Sequence, residues 1–495
     1  MRIANFAKGK CYVTKFFVVV VIILVVGLAI RHFMRTDAGQ TQKQPGFREF
    51  VKNPELWNDM IAEHEEVDAT AKQAEAWNAE EIRSNVVRYV FAPETPRELW
   101  GLGRALKSLS PRTNDALLSI LRDNSKQERL ARLQQGDLLE EAPVMRVCEL
   151  FKGNMPAEAF PLLQPFLAHE SDEIRKSCIL AIAETGSAES LPVIEQGLND
   201  EDEYVRSYAL MGMQRAIEAN KLSPTVATGV VPSLESLIRQ DRNVDDAARI
   251  LTQVNFSRAE SFLLSEEILD TDKRYLHEIL RVINQFNLQI ERNTVRSLIL
   301  TYADRDMKYP INYALGESLA LLGKHKMAED IAVLEEYSNH SDDHVSEGAA
   351  RGLIASHDLQ NFEDRIWAKE KSSGWESLNK EQQMYSAVFW LDAEVNNGGH
   401  SQYFFNSAGN NWQVAREGLK AMGSTERLPT FEGVLSLFGD EKPFPDREKR
   451  QEQLAAVYAN NEKAFDEYDS KYYAANESVE VLSRRFVIKN ADKFK

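Results

Sequence analysis

At 495 residues the chain is longer than one hydrophobic core can serve, so two or three domains are expected. Three scattered cysteines, Cys11, Cys148 and Cys178, with no CxxC pair, rule against a disulfide framework or a zinc cluster and are read as thiols. A formal charge of −17 counts against a polyanion-binding protein, because phosphate recognition needs clustered Lys and Arg.

The charge is unevenly spread. Residues 1–46 carry seven Lys/Arg and one acid, Asp37, while residues 361–495 carry 18 basic and 22 acidic side chains. The intervening 47–360 therefore hold net −19. A body of that charge suits a protein partner, tolerates a basic one, and repels nucleic acid.

In chain order, the first feature is an uninterrupted apolar run of fifteen residues, Phe16 to Ile30, flanked by Lys15 and Arg31. Snorkelling of those two side chains extends its reach to about 18–20 residues, enough for a bilayer of roughly 30 Å. The following RHFMRTDAGQ has no A-x-A cleavage site, so residues 1–35 read as an uncleaved anchor with membrane contact through 16–30, and 36–46 as a tether. More basic residues precede the run (Arg2, Lys8, Lys10, Lys15) than follow it (Arg31, Arg35, Lys43). The positive-inside rule then predicts a single-pass protein of a bacterial inner membrane with its body outside the cytoplasm.

Beyond the tether, helix signals dominate. Residues 47–150 read as helical. Thr95 to Glu98 and Ser257 to Glu260 have capping-box form, and Ser223-Pro224 places proline where its missing N–H is harmless. Residues 151–360 carry a repeat: Leu163, Ile174, Cys178 and Ala181 return 31 residues later as Ile194, Val205, Ala209 and Gly212, and 140 residues after that as Leu334, Val345, Ala349 and Gly352. Each copy is an apolar helix, an acidic turn (HESDE, NDEDE, HSDDH) and a second helix with small residues at the approach to its neighbour. Such a pair buries its apolar face only by stacking, which predicts an α-solenoid. The pattern resembles HEAT repeats of the short type found in phycobilin lyases, and the resemblance implies the fold without pigment or lyase chemistry.

Three features of the array admit a chemical reading. His340 and His344 have zinc-compatible i, i+4 spacing, but Asp343 falls where Asp172 and Glu203 fall, in a first helical turn, so a capping role is expected and no metal ligands are assigned. Cys148 and Cys178, one repeat apart, are expected as two buried thiols, since equivalent helices sit about 8–10 Å apart. GESLALLGK (316–324) has glycines seven apart and no hydroxyl after Lys324, so it reads as a repeat helix ending at Gly323 and not as a phosphate loop. No motif calls for a cofactor.

The last segment starts from a helix capped by Asn379 and Gln382 that carries Met384, Val388, Leu391 and Val395 on one stripe. Asn396-Asn397-Gly398-Gly399 closes it, with Gly398 expected in a left-handed conformation, and Ser401 is expected to start the next helix. The stretch E-x-N-N-G-G-x-x-Q-Y-F-F-N-x-x-G, Glu394 to Gly409, resembles the signature of the DNA-mimic protein family; YDSKYY (468–473) and RFVIKN (485–490) fit its closing helices, with Tyr468 where an aliphatic residue is expected. The resemblance covers 376–495 and implies a small helical protein-binding domain, in one case an acidic surface that captures a DNA-binding regulator. Here the net charge of −4 and the basic cluster Lys442, Arg447, Lys449 and Arg450 do not resemble a phosphate ladder.

Glu394, Asn396, Asn397, Gly398, Gly399, Gln402, Tyr403, Phe404, Asn406 and Gly409 thus form a structural or binding motif, with no catalytic residue assigned and replacement of His400 expected to be silent. The chain reads as all-α: an N-terminal transmembrane helix, a HEAT-like solenoid and a small helical C-terminal domain, serving as a membrane-anchored interaction scaffold. The rivals are a DNA mimic that sequesters a regulator and an enzyme using the polar corner around His400.

Overall fold

A computed structural model describes residues 69–92, 99–135, 140–151, 153–440 and 442–495. The apolar run 16–30, the tether and the Thr95–Glu98 cap lie outside the described residues. Helices make up nearly all regular structure, and the one strand pairing among the described residues is a two-residue antiparallel ladder, Gln134–Gln135 with Glu140–Glu141. The all-α expectation holds.

The membrane assignment is corrected. Among the described residues no helix is long and apolar enough to cross a bilayer, so neither the single-pass localisation nor a transmembrane helix as part of the fold is supported.

The described chain divides into two compact units, one of residues 69–382 and 477–495, the other of 383–476. In the first, the helices used below are α1 (Ala79–Phe91), α2 (Trp100–Ser108), α3 (Pro143–Phe151), α4 (Phe160–Leu167), α5 (Asp172–Ala183), α6 (Leu191–Leu198), α7 (Glu203–Glu218), α8 (Ile311–Gly323), α9 (Ala328–Tyr337) and α10 (Asp343–Ser356). All twelve positions of the sequence repeat are buried on α4 to α7, α9 and α10, which is the shared core that stacking provides.

The turns between paired helices are built alike. At equivalent positions 169, 200 and 340, a side chain accepts the N–H two residues on: His169 Nδ1 from Ser171, Asp200 Oδ1 from Asp202 and His340 Nδ1 from Asp342, at 3.0, 2.9 and 3.0 Å. His340 thus closes a turn. Asp342 caps α10, accepting from His344 and Val345 N–H, while Asp343 lies in the first turn where an acid complements the helix dipole. Arg175 and Arg206 share a role as well. Each Nη1 donates to two carbonyls of the turn before its own helix, His169 and Glu170 or Asp200 and Glu201, and each guanidinium reaches the next turn, at Asp200 or Asn243. The third copy, with Ser346, turns its hydroxyl to Asp343 O instead.

Two cap expectations divide. Ser223 caps the helix Pro224–Gly229 as read, accepting from Val226 N–H. For Phe256–Leu263 the cap is Asn255, not Ser257, because the asparagine side chain reaches Arg258 N–H.

Small residues set the helix spacing. A Cβ at Gly316, Gly323 or Gly348 would collide with backbone of the facing helix in the α8–α10 pair, and one at Gly212 would meet Ala183 Cβ and Leu180 O. GESLALLGK is therefore a close-packing helix. The array ends under α16 (Val479–Lys489), which packs on α10; Ser478 Oγ donates to Glu347 at 2.8 Å and Arg485 Nη2 to Asn339 Oδ1 at 2.8 Å. Covering a terminal repeat in this way removes the exposed apolar face that stacking leaves.

Candidate functional site

The second unit holds the asparagine-glycine signature. Its helices are α11 (Lys380–Phe405, whose first turn belongs to the other unit), α12 (Trp412–Met422), α13 (Arg427–Ser436), α14 (Arg447–Asn460) and α15 (Asp466–Tyr473). α11 is broken at Gly398 and Gly399, and here the expectation needs correcting: Gly398 has φ −157°, open to any residue, whereas Gly399 has φ +81°. A Cβ on Gly399 would overlap the Asp469 carboxylate, and one on Gly398 would overlap the Gln402 amide. The two glycines serve different contacts.

The close approach at Gly399 lets α15 complete the corner. Asp469 Oδ1 accepts both the backbone N–H of His400, at 2.8 Å, and lies 2.7 Å from its Nδ1. A carboxylate thus caps the second half of α11 from 69 residues away, in place of the expected Ser401, which is buried. On the other side of the break, Tyr473 Oη donates to the Val395 carbonyl at 2.6 Å. His400 is fully buried, stacked on Phe431 and edge-on to Tyr472, and burial pushes its pKa below the ordinary histidine value despite Asp469. The expectation that its replacement is silent does not survive this placement.

Glu394 forms a second cluster, its Oε2 accepting from Gln402 Nε2 at 2.7 Å and Asn406 Nδ2 at 2.9 Å. Burial raises its pKa, which the two amide donors oppose. Tyr403 and Phe404 are in the core, packed with Phe431. Of the ten signature residues six are buried, Glu394 and Gly398 are half-buried, and Asn396 and Asn397 are exposed and stand outside the cluster.

The C-terminal end of α11 has an unexpected cap. Arg450 is 0% exposed and donates to the carbonyls of Phe404, Asn406, Phe444 and Pro445 and to Asn410 Oδ1, all within 2.7–2.8 Å. Arg447 Nε and Gln451 Nε2 both reach Phe405 O at 3.0 Å. Cations at the negative end of a helix satisfy its orphan carbonyls and its dipole together. Burial lowers the Arg450 pKa to about 10, which leaves it charged at neutral pH. Gly409 makes room for this guanidinium, since a Cβ there would lie 2.9 Å from Arg450 Nε. Two of the four residues of the basic cluster therefore point inward, while Lys442 and Lys449 stay exposed. Asp469 and Arg450 are the partners that pattern reading misses: one stands inside the quoted YDSKYY and the other in the basic cluster, and neither motif shows which helix end its side chain reaches.

Residues 376–490 match the DMP19-like protein family. Residues 145–218 match HEAT repeats. The DMP19-like segment thus contributes the corner to one unit and α16 to the other, and the HEAT match covers α3 to α7. No curated protein matches the chain. Among solved structures, UNC-45 from Drosophila melanogaster aligns with 12% identity over 84% of this chain and 68% of its own, at a TM-score of 0.20, too slight to carry an argument.

Two surface features lie on the repeat unit. A groove of about 540 Å³ runs between α1, α2, α3, α5 and α7, lined among others by Trp100, Lys107, Cys148, Glu149 and Ala181. Its charges are paired across helices: Lys107 with Glu149, which also accepts from Tyr89 Oη at 2.8 Å, and Arg215 with Glu184. The second feature is a chain of rings. His277, Tyr309 and Tyr313 meet edge to face at 5.4–5.7 Å, and His344 lies 3.7 Å from Tyr313, with Tyr309 50% and Tyr313 37% exposed.

Proposed function

We propose that this protein is an interaction scaffold whose HEAT-type array binds a basic protein segment, with the DMP19-like unit as a second, rigid binding module. The supporting observation is the pair of exposed tyrosines, Tyr309 and Tyr313, backed by the buried ring of His277 and the half-buried ring of His344, in a stretch, 47–360, of net charge −19. Tyrosine faces attract cations and Tyr is enriched at protein interfaces, so exposed tyrosines on an acidic body suit Lys- or Arg-rich chains. The scaffold reading is favoured over the catalytic one by the full burial of His400 and its contact with Asp469.

The test is fluorescence anisotropy of the full chain with a Lys/Arg-rich peptide, an acidic peptide of equal length and duplex DNA. The basic peptide should bind, weakening as salt shortens the Debye length towards about 3 Å at 1 M, while the other two do not. Tyr309→Ala with Tyr313→Ala should weaken binding roughly tenfold at an unchanged melting temperature. Equal binding of DNA, or a salt-independent response, would overturn the reading.

A further inference from the structure

The thiols that spacing kept apart face each other. Cys148 on α3 and Cys178 on α5 are 4% and 0% exposed, and their sulfurs lie 3.6 Å apart. A disulfide needs about 2.05 Å, so closing by about 1.5 Å, within reach of side-chain rotation, would join them. The pair is also asymmetric, since Cys148 lines the groove and Cys178 does not.

We propose that Cys148 and Cys178 form an oxidisable dithiol, a modification site reached through the groove by a small hydroperoxide, whose product is a disulfide tying α3 to α5 across neighbouring repeats. In the first step the Cys148 thiolate attacks one peroxide oxygen: an S–O bond forms, the O–O bond breaks and hydroxide leaves, taking up a proton as water. In the second, the Cys178 sulfur gives up its proton and attacks Sγ of Cys148: the S–S bond forms, the S–O bond breaks and a second water departs. Two thiols lose two electrons and one hydrogen peroxide gains them. The order follows from access, and it agrees with Cys178 being held protonated, its pKa raised by the Cys148 neighbour and by burial. The disulfide closes a loop between two repeats and so restrains the unfolded chain, raising the melting temperature of the oxidised form.

The experiment uses the full chain carrying Cys11→Ser, so that only these two thiols titrate. Treated with hydrogen peroxide under native conditions, it should lose both free thiols together, lose two hydrogens in mass, yield a crosslinked peptide pair on digestion, and melt higher until reduced. Added Cys178→Ser should leave a dimedone-reactive sulfenic acid on Cys148, whereas added Cys148→Ser should leave Cys178 unmodified at the same peroxide dose. Persistence of both thiols in the protein that retains them, at a dose that oxidises an exposed cysteine, would overturn the proposal without reliance on any variant's folding. Equal oxidation of Cys178 in the Cys148→Ser chain would overturn the groove route.

Discussion

The repeat array and the DMP19-like corner both rely on polar side chains, but they place them differently. In the array, His169, Asp200 and His340 close equivalent turns in all three copies, and Arg175 and Arg206 make equivalent bonds in two of them. In the corner, His400 and Arg450 are wholly buried and draw on partners 69 and up to 46 residues away. A periodic structure distributes its polar contacts over many similar joints. A single non-periodic corner concentrates them, and an unpaired group there cannot turn to water.

The sharpest test of that contrast is Arg450→Met, which strands the carbonyls of Phe404 and Asn406 at the end of α11 and those of Phe444 and Pro445 ahead of α14, and should cost about 3–5 kcal/mol in urea unfolding. A loss no larger than that of Arg206→Ala would erase the distinction. Gly399→Ala comes next, at about 2–4 kcal/mol, because φ +81° strains alanine and its Cβ displaces Asp469. His400→Ala should cost about 2–3 kcal/mol through the cavity and the lost Asp469 bond; an unchanged unfolding midpoint would restore the silent-residue expectation. In the array, Arg206→Ala removes three bonds to neutral acceptors and should cost only about 1–2 kcal/mol.

The smallest effect is a pH dependence. The unfolded chain protonates His400 near the ordinary value of about 6.5, while the folded chain, with its pKa depressed, resists the proton. The unfolded state then binds more protons, so stability present above that pH is lost as pH falls towards the folded pKa. Burial depresses His277 and His325 in the same direction, so a stable His400→Gln chain should keep a shallower version of the same slope in pH-dependent unfolding.

Much of the array was legible because periodicity is a property of sequence. Leu163, Ile194 and Leu334 and their partners announce a buried stripe by spacing alone, and the acidic turns announce helix starts. Even there, which atom closes each turn was open: His340 has zinc-like spacing, and only the bond to Asp342 N–H shows its work. The corner was legible as a corner through its paired glycines, yet the wrong glycine was assigned the positive φ, because either can end a helix and the choice depends on Asp469 arriving from α15.

By itself, then, the sequence determined the helical class, the repeat, the acidic character of residues 47–360 and the position of the break in α11. Those follow from local periodicity, propensity and charge, which need no knowledge of distant residues. Tertiary structure alone decided that Cys148 meets Cys178, that Asp469 caps the helix at His400, that Arg450 turns inward and that α16 closes the repeat stack. Each of these joins residues far apart along the chain, where spacing carries no information and the cost of an unpaired buried group selects the partner.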